Sequence, residues 1–227
     1  MNIRNKLLEM SSDKHRLFMA KLVPNIDTGT ILGIKNPDLK KLAKDLMTSQ
    51  PEEAKHFLED LPHKYFEENM LHSFILSNIK DFDTCLNELE IFKDHIDNWA
   101  VCDSFRSKAF KKNPDRLYPH IENWIRSDHP YTQRLAIGLL LSYYLGDNFK
   151  KDHLDLVAAN SDPDYYVKMM VAWYFSMALA KQYDTAIGYI EDKKLETWTH
   201  NKAIQKALES RQVPDDRKDY LISLKVK

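Results

Sequence analysis

"SDHPYTQRLAIGLLLSYYL" (127–145) falls on "SDPDYYVKMMVAWYFSMAL" (161–179) when the chain is shifted by 34 residues. Ser127 meets Ser161, Asp128 meets Asp162, Tyr131 meets Tyr165, Ser142 meets Ser176 and Leu145 meets Leu179. Each segment is entered through an Asp and a Pro and continues as a long, mostly apolar helical pattern. A repeat of this length made of two helices is the signature of an α-solenoid. No helix pair can bury its apolar stripe alone, so each stacks on its neighbours.

The rest of the chain reads the same way. "NPDLKKLAKDLM" opens with Asn36 as an N-cap and Pro37 at the first helical position. "HKYFEENMLHSFILSNI" places Phe66, Met70, Leu71, Phe74 and Ile75 at helical spacing. "DFDTCLNELEIF" begins with a capping Asp, "NPDRLYPHIENWI" with Asn113 and Pro114, and "THNKAIQKALES" and "PDDRKDYLISL" close the chain. About a dozen helices with short connections are predicted, and no strands. The irregular stretch is "KLVPNIDTGTILGI" (21–34), marked by Pro24, Gly29 and Gly33. The expected fold is all-α, a single repeat domain over 1–227, curved with a concave groove.

Composition narrows the function classes. With 43% hydrophobic and 30% charged residues, 227 residues fit a soluble globular chain, and a cytoplasmic location is expected. Cys85 and Cys102 form no CxxC pair, which suits a reducing compartment and gives no zinc signature. The charged N-terminus reads as neither signal peptide nor membrane span. Nine histidines occur without an HExxH motif, and neither GxxxxGK[ST] nor GxGxxG is present. No metal and no cofactor are expected. Cys102, beside apolar Val101 and with no histidine near it in sequence, reads as a buried structural thiol rather than a nucleophile.

Net charge is −1, from 33 basic and 34 acidic residues, so a nucleic-acid surface would need its cations gathered on one face. The repeat supplies one way to gather them. The 34-residue shift carries Arg134 onto Lys168 and Lys168 onto Lys202, a candidate basic column; the alternative for each is a solvated cation on an amphipathic helix. "RSKAFKKNPDR" (106–116) holds Arg106, Lys108, Lys111, Lys112 and Arg116 against the single acid Asp115. It could grip a DNA backbone or merely place cations favourably at a helix C-terminus.

Immediately before that run, "HIDNWAVCDSF" (95–105) sets Trp99 four residues before Asp103, which puts both on one helix face just after a helix start at Asp97 and Asn98. A core helix would prefer an apolar residue at 103, and an exposed one would not choose tryptophan at 99. Trp173, five residues after Lys168, sits amid apolar neighbours, and a core role is the alternative for it.

Trp99 with Asp103, Arg134 in "TQRLAI" and Trp173 in "VAWYF" resemble the AlkD-type DNA alkylation repair family of HEAT-like-repeat glycosylases. "LGIKNPDLKKLAKDL" (32–46), "ENWIRSDHPYTQR" (122–134) and "THNKAIQKALE" are similar to that family as well, so the resemblance spans nearly the whole chain. It implies hydrolysis of the glycosidic bond of cationic N3- and N7-alkylpurines in double-stranded DNA by a HEAT-like-repeat monomer. Asp103 would be the catalytic carboxylate, Trp99 and Trp173 would pack against the deoxyribose and backbone, and Arg134 would hold a phosphate. Residues 1–33 resemble a subgroup whose N-terminal helices are altered. The rival reading, from a different class, is a non-catalytic helical-repeat protein that binds DNA structures or a protein partner. A Schiff-base role for Lys168 or Lys202 has no feature in its favour.

Overall fold

The computed structural model describes residues 2–226, and these are helical with no strand among them. The chain divides into two compact units, Met1–Asn113 and Pro114–Lys227. The first contains α1 (Ile3–Glu9), α2 (Asp13–Leu22), α3 (Asn36–Ser49), α4 (Pro51–Glu59), α5 (Phe66–Asn78), α6 (Phe82–Phe92), α7 (Trp99–Ser104) and α8 (Lys108–Lys112). The second contains α9 (Pro114–Trp124), α10 (Pro130–Tyr143), α11 (Lys151–Ala158), α12 (Tyr165–Lys181), α13 (Tyr183–Glu191), α14 (Thr197–Glu209) and α15 (Asp215–Ser223). None of these helices is long and apolar enough to cross a membrane.

In the first unit α5 is the central helix, packed against α3, α4, α6, α7 and α1. Its burial is unusual in chemistry, since Glu67, Glu68, Asn69, His72 and Ser73 are buried beside Met70, Leu71, Phe74, Ile75 and Leu76. Buried polar groups are costly unless satisfied. Asn69 Oδ1 and His72 Nε2 have no hydrogen-bond partner among the described residues, whereas Glu67, Glu68 and Ser73 each hold down a different segment. The Glu67 carboxylate accepts the backbone N–H groups of Leu32, Gly33 and Ile34 at 2.8, 2.7 and 3.2 Å. Glu68 accepts the guanidinium of Arg4 at 2.7 Å and the N–H groups of Lys64 and Tyr65 at 2.9 Å. Ser73 Oγ donates to the Val101 carbonyl in α7 at 3.2 Å.

The loop that Glu67 fixes is the irregular stretch expected from its glycines. Gly33 has φ +80°, and a Cβ there would run into the backbone of Ser12 and Arg16 at the start of α2. Only glycine satisfies both demands. The helical segment ahead of this loop is two helices, α1 and α2, broken at Met10–Ser12, where Ser12 N–H bonds to the Leu32 carbonyl at 3.0 Å. Asn36 is the first helical residue rather than the cap, with Lys35 in extended conformation before it.

In the second unit α12 packs between α10 and α14, with α11 and α13 beside it. Val167, Met170, Val171, Ala172, Tyr174, Phe175, Ala178 and Leu179 of α12 are buried, so the helix is covered on nearly every side. The 34-residue register of the sequence is the spacing from α10 to α12 and from α12 to α14, within two residues at the helix starts. The side chains of Asp164 and Glu196 accept the N–H groups of the second and third residues of α12 and α14.

Candidate functional site

α7 is only six residues long, too short to stand alone, and its placement depends on three anchors. Asn98 caps it by accepting the Val101 N–H at 3.1 Å. Ser73 of α5 holds the Val101 carbonyl. Ala100, Val101 and Cys102 are buried against the core. With that face fixed, Trp99 and Asp103 fall on the other side, both half-buried. Trp99 is itself pinned, its indole Nε1–H donating to the Leu22 carbonyl at the end of α2 at 3.0 Å. Asn25 binds the carbonyl of Asp97 at 2.8 Å, a second tie between the loop after α2 and the approach to α7.

The short helix therefore presents an aromatic ring and a carboxylate one turn apart, on a backbone that cannot readily shift. Cys102 is buried and in no disulfide, as expected of a structural thiol. Beyond α7 the basic run divides. Arg106 is half-buried and donates to the Phe105 carbonyl at 2.6 Å, whereas Lys108, Lys111 and Lys112 on α8 are exposed. Among the described residues no group of three or more His, Cys, Asp or Glu is placed to hold a metal ion.

In the second unit the three register-related cations occupy three different environments. Arg134 is 4% exposed, with Nη1 donating to the Tyr166 carbonyl of α12 at 2.6 Å. Lys168 pairs with Glu196 at 3.2 Å and lies over the Trp198 ring at 5.0 Å from its centroid. Lys202 lies over the same ring at 5.6 Å and donates to Gln205 at 2.8 Å. Trp173 stands half-buried in the middle of α12.

Sequence reasoning missed Trp198, on which two of the three column cations converge. Its signal was available: it lies four residues before Lys202 on one helix, and Lys168 reaches it through the register. The reasoning also missed Leu22, Asn25 and Ser73, which position Trp99 and α7 through backbone atoms. Such contacts carry no side-chain pattern to read.

The sequence profile of the family described as DNA alkylation repair enzyme matches residues 3–207. No curated protein sequence matches the chain.

Proposed function

The chain belongs to the DNA alkylation repair enzyme family, and from that premise we propose that it is a monofunctional DNA glycosylase for cationic N3- and N7-alkylpurines. The observation that carries the reading is the pairing of Trp99 and Asp103 one turn apart on α7, half-buried and held by anchors on α2 and α5.

The chemistry asks little else. Glycosidases that act on neutral substrates need an acid because their leaving group is poor. An N3- or N7-alkylpurine already carries a positive charge and departs as a neutral base. As the bond lengthens, positive charge moves onto the deoxyribose. An anionic Asp103 beside the sugar stabilises that charge and orients or deprotonates the attacking water. At ~4 Å and an effective dielectric of ~20 the attraction is about 4 kcal/mol. The part gained between ground and transition state sets the rate, up to roughly a thousandfold. The face of Trp99 adds attraction of about 0.5–2 kcal/mol to the same charge.

Trp173, Lys168, Lys202, Arg106 and the α8 lysines are assigned in this proposal to holding the alkylated duplex, while Arg134, buried on the Tyr166 carbonyl, ties α10 to α12. An α-solenoid of HEAT-like repeats in one domain, a monomeric state and a cytoplasmic setting belong to the proposal too, the first supported by the 34-residue register of α10, α12 and α14.

The second reading is a non-catalytic helical-repeat protein that binds DNA structures or a protein partner. It is favoured by the net charge of −1 and by the inward turn of Arg134. Single-turnover release of 7-methylguanine from methylated duplex DNA decides between them. Wild type is expected to release the base, and Asp103→Asn to be at least tenfold slower. No release by wild type at saturating protein would overturn the glycosylase reading in favour of the second.

A further inference from the structure

The second residue of α10 is Tyr131, of α12 Tyr166 and of α14 Trp198. Counted from the helix start, the same position of three packed helices is thus aromatic, and Tyr165, which the 34-residue register sets on Tyr131, completes the ring contacts between them. His129 lies 6.0 Å from Tyr131, Tyr131 5.8 Å from Tyr166, Tyr166 5.3 Å from Tyr165, and Tyr165 5.7 Å from Trp198, all as ring centroids. None of these five rings is buried, and Tyr165 is 56% exposed. Core aromatics do not behave in this way, and a surface with no use for them would not repeat them at one helical position.

The charges along this edge are sorted. Asp162 accepts from Gln133 at 2.6 Å and from the Asp164 N–H at 2.8 Å. Asp164 accepts the N–H groups of Tyr166 and Val167, and Glu196 those of Trp198 and Thr199. Asp164 is thereby turned to the backbone, while Glu196 divides its oxygens between the start of α14 and the Lys168 ammonium at 3.2 Å; both acids offset the helix dipoles. The ammonium groups of Lys168 and Lys202 remain over the Trp198 ring. A row of aromatic faces ending in two cations is what an unpaired nucleic-acid strand requires: bases stack on rings whatever their identity, and phosphates meet the lysines.

We infer that the ladder His129–Tyr131–Tyr166–Tyr165–Trp198, with Lys168 and Lys202, binds unpaired nucleotides by stacking. This deepens the proposed DNA reading and rests on it only for the class of polymer. It adds a strand-binding surface distinct from the Trp99–Asp103 pair.

The test is fluorescence anisotropy of a labelled oligo(dT) 16-mer with the full chain, across a salt series, for wild type, Tyr165→Ala and Tyr165→Phe. Wild type is expected to bind, with log K falling against log salt at a slope of about −1.4 when Lys202, and Lys168 on exchanging Glu196 for a phosphate, each contact a single strand. Tyr165→Ala is expected to weaken binding by about five- to a hundredfold, the range of one lost stacking partner. Tyr165→Phe should retain it. The exposure of Tyr165 makes unfolding of the alanine variant an unpromising explanation, and circular dichroism checks this. No binding by wild type, or equal affinity of Tyr165→Ala and wild type, overturns the inference. Excision of 7-methylguanine by wild type, read in parallel, separates the two readings. Absent excision with Tyr165-dependent oligo(dT) binding sinks the glycosylase and leaves the ladder standing; excision without such binding does the reverse.

Discussion

α5 and α12 are each the central helix of their unit, yet they are buried by opposite means. α12 fills its surroundings with apolar side chains, and among its buried residues Ser176 is the only one outside the hydrophobic set. α5 buries two carboxylates, an amide, an imidazole and a hydroxyl alongside its apolar groups. Apolar packing is non-directional and tolerates any well-shaped neighbour, so it suits a helix sandwiched between register-related copies. Buried hydrogen bonds are directional and costly to leave unmade. They suit a helix that must hold unlike pieces in fixed places: the 32–34 loop, Arg4 and α7. The unit with the repeat is organised by packing, and the unit with the proposed carboxylate by polar anchors.

The largest expected effect tests the packing side. Phe175→Ala empties a fully buried site of α12 and is expected to cost about 3–5 kcal/mol. That corresponds to a fall in Tm on the order of 10 °C for a chain of this size. Thermal denaturation measures it, and a cost below ~1 kcal/mol would break the contrast.

Glu67→Ala tests the polar side. It strands three buried N–H groups of the 32–34 loop and is expected to cost roughly 3 kcal/mol. Burial raises the Glu67 carboxyl pKa, while the three N–H groups oppose that rise. Hydrogen exchange should show lost protection concentrated at Leu32, Gly33 and Ile34; a loss spread evenly over α5 would count against the anchoring role.

Acid provides a third comparison. His63 and His72 share a 2.9 Å contact between ring nitrogens, and stack on Phe57 and Phe92 respectively. Burial holds His63 at about 4 and pushes His72 down in the same direction. Between pH 6.5 and 4 the unfolded chain takes up a proton that folded His63 refuses, so stability rises with pH across that window and is lost on acidification. The His63 share is about 3 kcal/mol at pH 4 relative to pH 7. His63→Phe keeps the stacking volume and should reduce the pH dependence of the denaturant midpoint across that window, leaving the His72 share; an unchanged pH profile would contradict the assignment.

The smallest effect concerns α7. Asn98→Ala removes its cap and is expected to cost about 1 kcal/mol. Because the helix is short and carries Trp99 and Asp103, the rate of base release should fall more than global stability does. Equal losses in both would mean that the cap acts only on the fold.

The same contrast explains what could be read from the residues. The 34-residue register, the capping Asp81, a helix start at Asp97–Asn98, the irregular loop marked by Gly33 and the buried state of Cys102 are local or periodic signals, and the structure places them as such. Trp99 and Asp103 were legible as a pair because they break the rule for both a core and a surface helix. Glu67 was not, since its partners lie 33–35 residues away and are backbone groups. Arg134 was legible as a cation but not as a buried one, because its burial depends on how α10 meets the Tyr166 carbonyl. Long-range polar contacts leave no period in a sequence.

The four tryptophans divide these environments among themselves. Trp99 has its indole N–H on the Leu22 carbonyl, Trp124 is sealed at 1% exposure, Trp173 is half-buried in α12, and Trp198 lies beneath two ammonium groups. The molecule therefore carries its own set of optical and magnetic reporters. Indole resonances in an NMR spectrum would follow the proposed carboxylate pair, the packed core and the aromatic edge separately during a single titration, with no label attached.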